Sequence, residues 1–321
     1  MEPKIELYRT RTFSEKISDS FAFIRESWRT ILKFFTYLLL PVSIVMAFFM
    51  DGFMSSYMRN VMGVMDGTAV DNTTDLVSFG LTTLGLLVVS AVASVLLTAL
   101  VYALFRLYDR RGELRLQQLS MAELKPELLL MVRRTLVLLL TGIAIALLVG
   151  LLLVAIVFLL VSIVPVFGLL LLPLIYIALL AVAMPLMLVV PIYLLEDGIP
   201  VLEAYQKAWR LGFQTWGGLF AVLFVLGLIG GILQSFTSLP WTVMLVAKSI
   251  FTLQGETGGF MNSVGYSFLQ YLLCIVECYF ALLASVLTFV GLTIQYGHAS
   301  DKIDGVGVAQ NIEKFDELDS F

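Results

Sequence analysis

The sequence predicts an all-α integral membrane protein with six transmembrane helices. Two observations carry this. No Asp, Glu, Lys or Arg occurs between Arg134 and Glu196, and a second uncharged run extends from Leu76 to Phe105. A bilayer core is about 30 Å thick and takes about 20 apolar residues per helix to cross. Water-soluble domains do not leave stretches of that length without a charge. Composition agrees: 60% of the 321 residues are hydrophobic and 14% are charged, with a mean hydropathy of +0.96.

The spans read as Ile31–Met50, Leu76–Phe105, Thr135–Ile163, Val166–Leu194, Trp216–Ser238 and Val264–Tyr296. Pro165 and Gly168 divide the long uncharged run into two helices. Pro41, Pro173, Pro185 and Pro191 fall inside spans and predict kinks, which membrane helices tolerate. Six spans and their connections use nearly the whole length. A single polytopic domain over 1–321 is therefore expected, with an amphipathic cytoplasmic segment over 1–30, the spans over 31–296 and an acidic cytoplasmic tail over 297–321. No apolar core followed by a small-residue cleavage site precedes the first span, so no signal peptide is expected.

Basic residues set the orientation. Lys4, Arg9, Arg11, Lys16, Arg25, Arg29 and Lys33 precede or open the first span, and the second-to-third connection holds a similar set from Arg106 to Arg134. Lys207, Arg210, Lys302 and Lys314 lie on the same side, against only Arg59 and Lys248 on the other. The positive-inside rule then places both termini in the cytoplasm.

The segments entering the odd-numbered spans share a pattern. Phe13, Ile17, Phe21, Ile24, Trp28 and Ile31 recur at helical spacing, with charged residues between them. Thr12 and Glu15 suit a capping box at the start. Leu202, Tyr205, Trp209 and Phe213 form a similar stripe after Pro200, and Trp28–Arg29 aligns with Trp209–Arg210. Glu127–Leu136 carries a weaker echo, with Arg134–Thr135–Leu136 matching Arg29–Thr30–Ile31. The unit read from this is an interfacial helix followed by a two-span hairpin, occurring three times. Its alternative is that any basic amphipathic stretch before a span looks this way. Such helices lie at the headgroups, with Trp28, Arg29, Trp209 and Arg210 as interfacial anchors.

These residues also carry a resemblance. Ser20 to Arg29, Pro191 to Gly198 followed by Ala204 to Arg210, and the tail Asp304–Val308 followed by Ile312–Phe315 resemble bacterial proteins grouped with the membrane domain of glycerophosphoryl diester phosphodiesterases, including Bacteroidetes members. In that family the membrane domain is sometimes fused to a phosphodiesterase domain. No such domain is expected in this sequence, and the enzymatic name is not carried over. The resemblance implies a six-span inner-membrane protein of a bacterium.

Candidate chemistry centres on Glu277, the acidic residue well inside a span. Gln270, Cys274 and Glu277 share a helical face, continued by Ala281, Ala284, Ser285 and Thr288. Intramembrane carboxylates are costly and often functional, so this seam is either a proton- or substrate-handling stripe or a polar packing seam. Cys274, Glu277 and Cys278 are too few for a metal, and His298 lies about 30 Å further along a continuous helix. Small residues recur at Ser90 and Ser94, at Gly142, Ala146 and Gly150, and at Gly227 and Gly231, and suit close helix approach within the bundle or between copies. Met54, Met58, Met62 and Met65 read as one face of an interfacial helix in the first outer loop, and Trp241 to Leu253 as a helix on the outer surface.

No Gly-x-Ser-x-Gly, His-Glu-x-x-His or P-loop sequence occurs. The expectation is a non-enzymatic scaffold that organises membrane lipids or partner proteins, with a homo-oligomer or a membrane-protein partner. The alternative is a transporter or permease subunit using the Glu277 seam. No cofactor, metal or nucleic acid is expected.

Overall fold

The computed structural model describes residues 4–65, 73–112, 116, 118–163, 165–253 and 263–309. Among them there is no strand, and eight helices follow in order: α1 Phe13–Met65, α2 Thr73–Arg110, α3 Met121–Ile163, α4 Pro165–Leu186, α5 Val189–Leu195, α6 Val201–Gln214, α7 Trp216–Leu253 and α8 Val264–Asp304. Six stretches are long and apolar enough to cross a membrane, and each contains or overlaps one of the expected spans. The protein is an all-α membrane protein.

The helix bounds follow local chemistry. Thr12 and Glu15 form the expected capping box: Thr12 N–H donates to Glu15 Oε2 at 2.7 Å, and Glu15 N–H donates to Thr12 Oγ1 at 3.4 Å. Pro165 opens α4, where its missing N–H is no loss. Pro185 and Pro191 flank the break between α4 and α5, where Leu188 N–H reaches back only three residues to Pro185 O at 3.2 Å. Pro200 precedes α6 in extended conformation and Thr215 separates α6 from α7. Gly198 takes a φ of +76°, which a side chain would resist.

The three separate interfacial helices resolve into one. α6 stands as its own helix, whereas the segment around Trp28 runs without interruption into the first span as part of a 53-residue α1, and Glu127–Leu136 runs on inside α3. Nothing between Phe13 and Ile31 stops a helix: the stretch has neither Gly nor Pro. A periodic stripe does not reveal whether the next span continues it. The expected outer loops are likewise largely helical, since α1 extends to Met65 and α7 continues past Pro240 to Leu253. Gly255, Gly258, Gly259 and Ile312–Phe315 lie outside the described residues, as do the side chains of Met62 and Met65.

Contacts divide the chain into two compact units. The first comprises Met1–Ser27, Thr98–Leu226 and Thr288–Phe321. Its core includes Phe23, stacked on Phe105 with ring centroids 4.1 Å apart, and the fully buried Tyr102, Leu124, Met131, Ile192, Leu211 and Tyr296. The non-helical residues 4–12 are seated in this unit: Ile5 N–H donates to Tyr108 Oη at 3.2 Å and Arg11 N–H to His298 Nδ1 at 2.9 Å. Leu7 lies over Gly297 so closely that its carbonyl occupies the space of a side chain there.

The second unit comprises Trp28–Leu97 and Gly227–Leu287. Ala47, Trp241, Leu245, Cys274 and Cys278 form a buried cluster, with Met46, Met50 and Met54 packed against it. Phe49 fills the space beside Gly85.

The small-residue faces are not where helices approach. Among the described residues, nothing lies within 4 Å of a Cβ placed at Gly150, Gly227 or Gly231, and at Gly142 only Tyr205 Oη at 3.9 Å comes near. Ser94 is exposed. Close approach occurs instead at Gly212, against Pro185, and at Gly291, against Leu226.

Candidate functional site

The polar seam of α8 lies mostly in the second unit, and each polar side chain there meets a particular partner. Gln270 Nε2 donates to Asp51 Oδ1 of α1 at 2.6 Å. Cys274 Sγ donates to Ala47 O at 3.6 Å. Glu277 Oε1 accepts from Gln234 Nε2 of α7 at 3.3 Å. Ser285 turns back to its own helix, donating to Ala281 O at 2.9 Å. Thr288 lies further along the same continuous helix. Gln270 Oε1 and Glu277 Oε2 are buried without a hydrogen-bond partner among the described residues. No group of three His, Cys, Asp or Glu at metal-binding reach occurs among the described residues.

The pattern along α8 does not point to Asp51 or Gln234. Their signal lies elsewhere in the sequence: an amide inside the fifth span and a carboxylate at the end of the first are each expensive in lipid without a partner. Spacing along one helix shows which residues share a face, but not what the facing helix offers.

A denser polar cluster occupies the first unit. Glu196, just past α5, accepts from Lys207 Nζ of α6 at 2.7 Å and from the Tyr296 hydroxyl of α8. The Tyr8 and Tyr296 hydroxyls are 3.2 Å apart. Burial, with the charges of Glu196 and Asp109 adding to it, holds the Tyr8 phenol above the ordinary tyrosine value, so it stays neutral and able to donate. Asp304 pairs with Arg210 at 2.9 Å and faces Lys207 at 3.8 Å. Arg134 Nη1 donates to the carbonyls of Tyr193, Leu194 and Glu196 at 3.2, 3.4 and 3.0 Å, closing the exposed carbonyl end of α5. Arg106 bonds Asp197 at 2.7 Å and faces Glu127 at 3.6 Å. Glu127 is also paired with Arg110. Desolvation offsets much of the Coulomb gain in such pairs, so their main effect is to fix how the connections fold back.

The four anchors have different surroundings. Trp28 and Trp209 are 48% and 49% exposed, and the Arg29 guanidinium lies over the Trp28 ring at 5.4 Å. The Trp209 ring packs on Phe213 at 4.4 Å. Arg210 is tied to Asp304 rather than standing free.

The aligned segments keep a common burial register. Phe23 and Ser27 are buried where Ala204 and Ala208 are buried, and Phe21 and Trp28 are exposed where Leu202 and Trp209 are exposed. The middle echo breaks this register, because Leu136 is exposed where Ile31 is buried. On α6 the inward face is therefore made of Ala204, Ala208, Leu211 and Gly212. The large apolar residues Leu202, Trp209 and Phe213 point outward. Comparison with family models, curated proteins and solved structures finds no match for this chain.

Proposed function

We propose that this chain is a non-enzymatic membrane protein that organises lipid or a membrane-protein partner through its cytoplasmic-end helices. The observation that carries this reading is the outward stripe of α6: Leu202, Trp209 and Phe213 are exposed while the small face opposite is buried. An apolar stripe turned away from the protein is unfavourable in water and favourable in the interfacial layer of a bilayer or against an apolar partner. Trp suits that layer because its ring is apolar and its N–H polar.

On this reading the chain lies in a bacterial inner membrane with both termini cytoplasmic, as the distribution of Lys and Arg favours. It is akin to the membrane domain of the glycerophosphoryl diester phosphodiesterases without their chemistry, and it takes no cofactor. A photo-crosslinking residue in place of Phe213, activated in native membranes, is expected to capture lipid or an integral membrane protein. Capture of soluble protein alone, or of nothing, would sink the proposal.

A second reading, transport along the Glu277 seam, draws on Glu277 Oε2, buried and without a partner among the described residues. It requires a proton-linked flux in reconstituted vesicles that Glu277→Gln removes.

A further inference from the structure

Lys16 is 5% exposed and sits in the first turns of α1. Among the described residues it makes no ion pair, and no carboxylate stands within reach of its ammonium. The charges that act on it are cationic, Lys302 and Arg11. Asp19, on the same helix, is engaged by Arg11 at 2.7 Å, and Asp301 accepts from Gly307 N–H at 3.0 Å. Most of the side chain is buried, and an ammonium there without a counter-charge is unfavourable.

Two further groups meet it at one point. Gln295 of α8 is fully buried, and neither its Nε2 nor its Oε1 has a partner among the described residues. Gly218 lies in the first turn of α7. A Cβ there would stand 3.4 Å from Lys16 Nζ, 3.6 Å from Gln295 Nε2 and 3.9 Å from Gln295 Oε1. α7 is first closed by Leu219 N–H donating to Thr215 O at 2.9 Å. The N–H groups of Trp216, Gly217 and Gly218 precede that bond, so this end of the helix carries positive potential. An ammonium, an unpaired buried amide and a helix N-terminus thus converge at Gly218.

We infer that Lys16, Gln295 and the α7 N-terminus at Gly218 form a site for a single phosphate oxyanion. The Lys16 ammonium and Gln295 Nε2 donate to its oxygens, and Gln295 Oε1 accepts from Lys16 or from a protonated phosphate oxygen. The three elements come from the start of the first span, the start of the fifth and the end of the sixth. By the order of the spans these ends share one side of the membrane. A phosphate oxyanion there could come from a lipid headgroup or from free phosphate. The site is separate from the α6 stripe and does not depend on it.

The test uses the full chain, purified in a sugar-based detergent and phosphate-free buffer. Thermal unfolding is followed with inorganic phosphate, against chloride at equal ionic strength, and with phosphatidylglycerol, against diacylglycerol. The expected result is a rise in midpoint with phosphate, with phosphatidylglycerol or with both. Lys16→Met should weaken the response at least about tenfold, and Gln295→Leu should weaken it too. Because Lys16→Met keeps the apolar stem and removes a charge that has no counter-charge among the described residues, it should fold, as size exclusion will check. A response to phosphate supports a free anion as ligand, and a response to phosphatidylglycerol alone supports a headgroup. No response beyond the controls, or equal responses from wild type and Lys16→Met, would overturn the inference. A phosphate response together with an empty crosslink at position 213 would keep this site and reject the α6 proposal.

Discussion

Gln234 and Glu277 face each other from the interiors of two membrane-length helices, with the amide nitrogen 3.3 Å from one carboxyl oxygen. Neither side chain has a charged partner in this contact. The amide pairs one carboxyl oxygen while the other, Oε2, has no partner among the described residues, and interhelical hydrogen bonds of this kind are the chemistry of a packing seam. The buried cluster of Ala47, Trp241, Leu245, Cys274 and Cys278 in the same unit fits that use.

Glu277→Gln keeps the shape and a hydrogen bond to Gln234, so the unfolding midpoint of the purified protein should hardly move. Glu277→Leu fills similar space without the hydrogen bond and should cost about 1–2 kcal/mol at most. In a transporter Glu277→Gln would also fold normally, but a proton-linked flux would disappear.

Gly212→Ala should be far more damaging than Gly231→Ala. At Gly212 a Cβ would lie 2.6 Å from Pro185 Cα and 2.7 Å from Pro185 O, backbone atoms that cannot turn aside. Overpacking of that kind costs about 1–3 kcal/mol. Among the described residues nothing lies within 4 Å of a Cβ at Gly231, so alanine there should leave the unfolding midpoint unchanged or raise it. Equal effects in thermal unfolding would contradict the packing of α6 on α4.

Arg134→Met should destabilise the first unit, because three carbonyls at the end of α5 lose their donor. Leaving such groups unpaired costs about 1–3 kcal/mol. Arg134→Lys should not restore the midpoint, since an ammonium lacks the planar fork of the guanidinium. Full rescue by lysine would show that charge alone matters here.

The spans are legible in the sequence because charge is excluded from lipid, and an apolar run as long as Leu76–Phe105 is sustained only where water is absent. The separate α6 is legible from Pro200 and the stripe after it. The continuity of α1 is not, because an amphipathic period is the same whether a helix ends or goes on. The α6 stripe is plainly apolar, yet its direction is hidden: in water such a face turns inward, and here the inward face is Ala204 and Ala208. Glu196, Lys207, Tyr296 and Asp304 meet from separate parts of the chain, and no local spacing announces that. The same holds for Lys16, Gln295 and Gly218.

Topology is open to labelling. Cysteine introduced at Thr68, between α1 and α2, should react with an impermeant reagent from outside intact cells. Cysteine at Ser120, just before α3, should react only after the membrane is opened. Cys274 and Cys278 are buried and should stay silent. Labelling of position 68 only from the cytoplasm would invert the orientation.

The placement of α6 is tested most directly by its own tryptophan. With Trp28, Trp216 and Trp241 replaced by Phe, Trp209 is the sole tryptophan fluorophore. The protein is reconstituted into vesicles whose lipids carry bromine either near the headgroup or deep in the acyl chain. Strong quenching is expected, greater for the shallow bromines, because the outward stripe rests in the interfacial layer. Emission unaffected by either lipid, and quenched instead by a water-soluble agent, would contradict that placement.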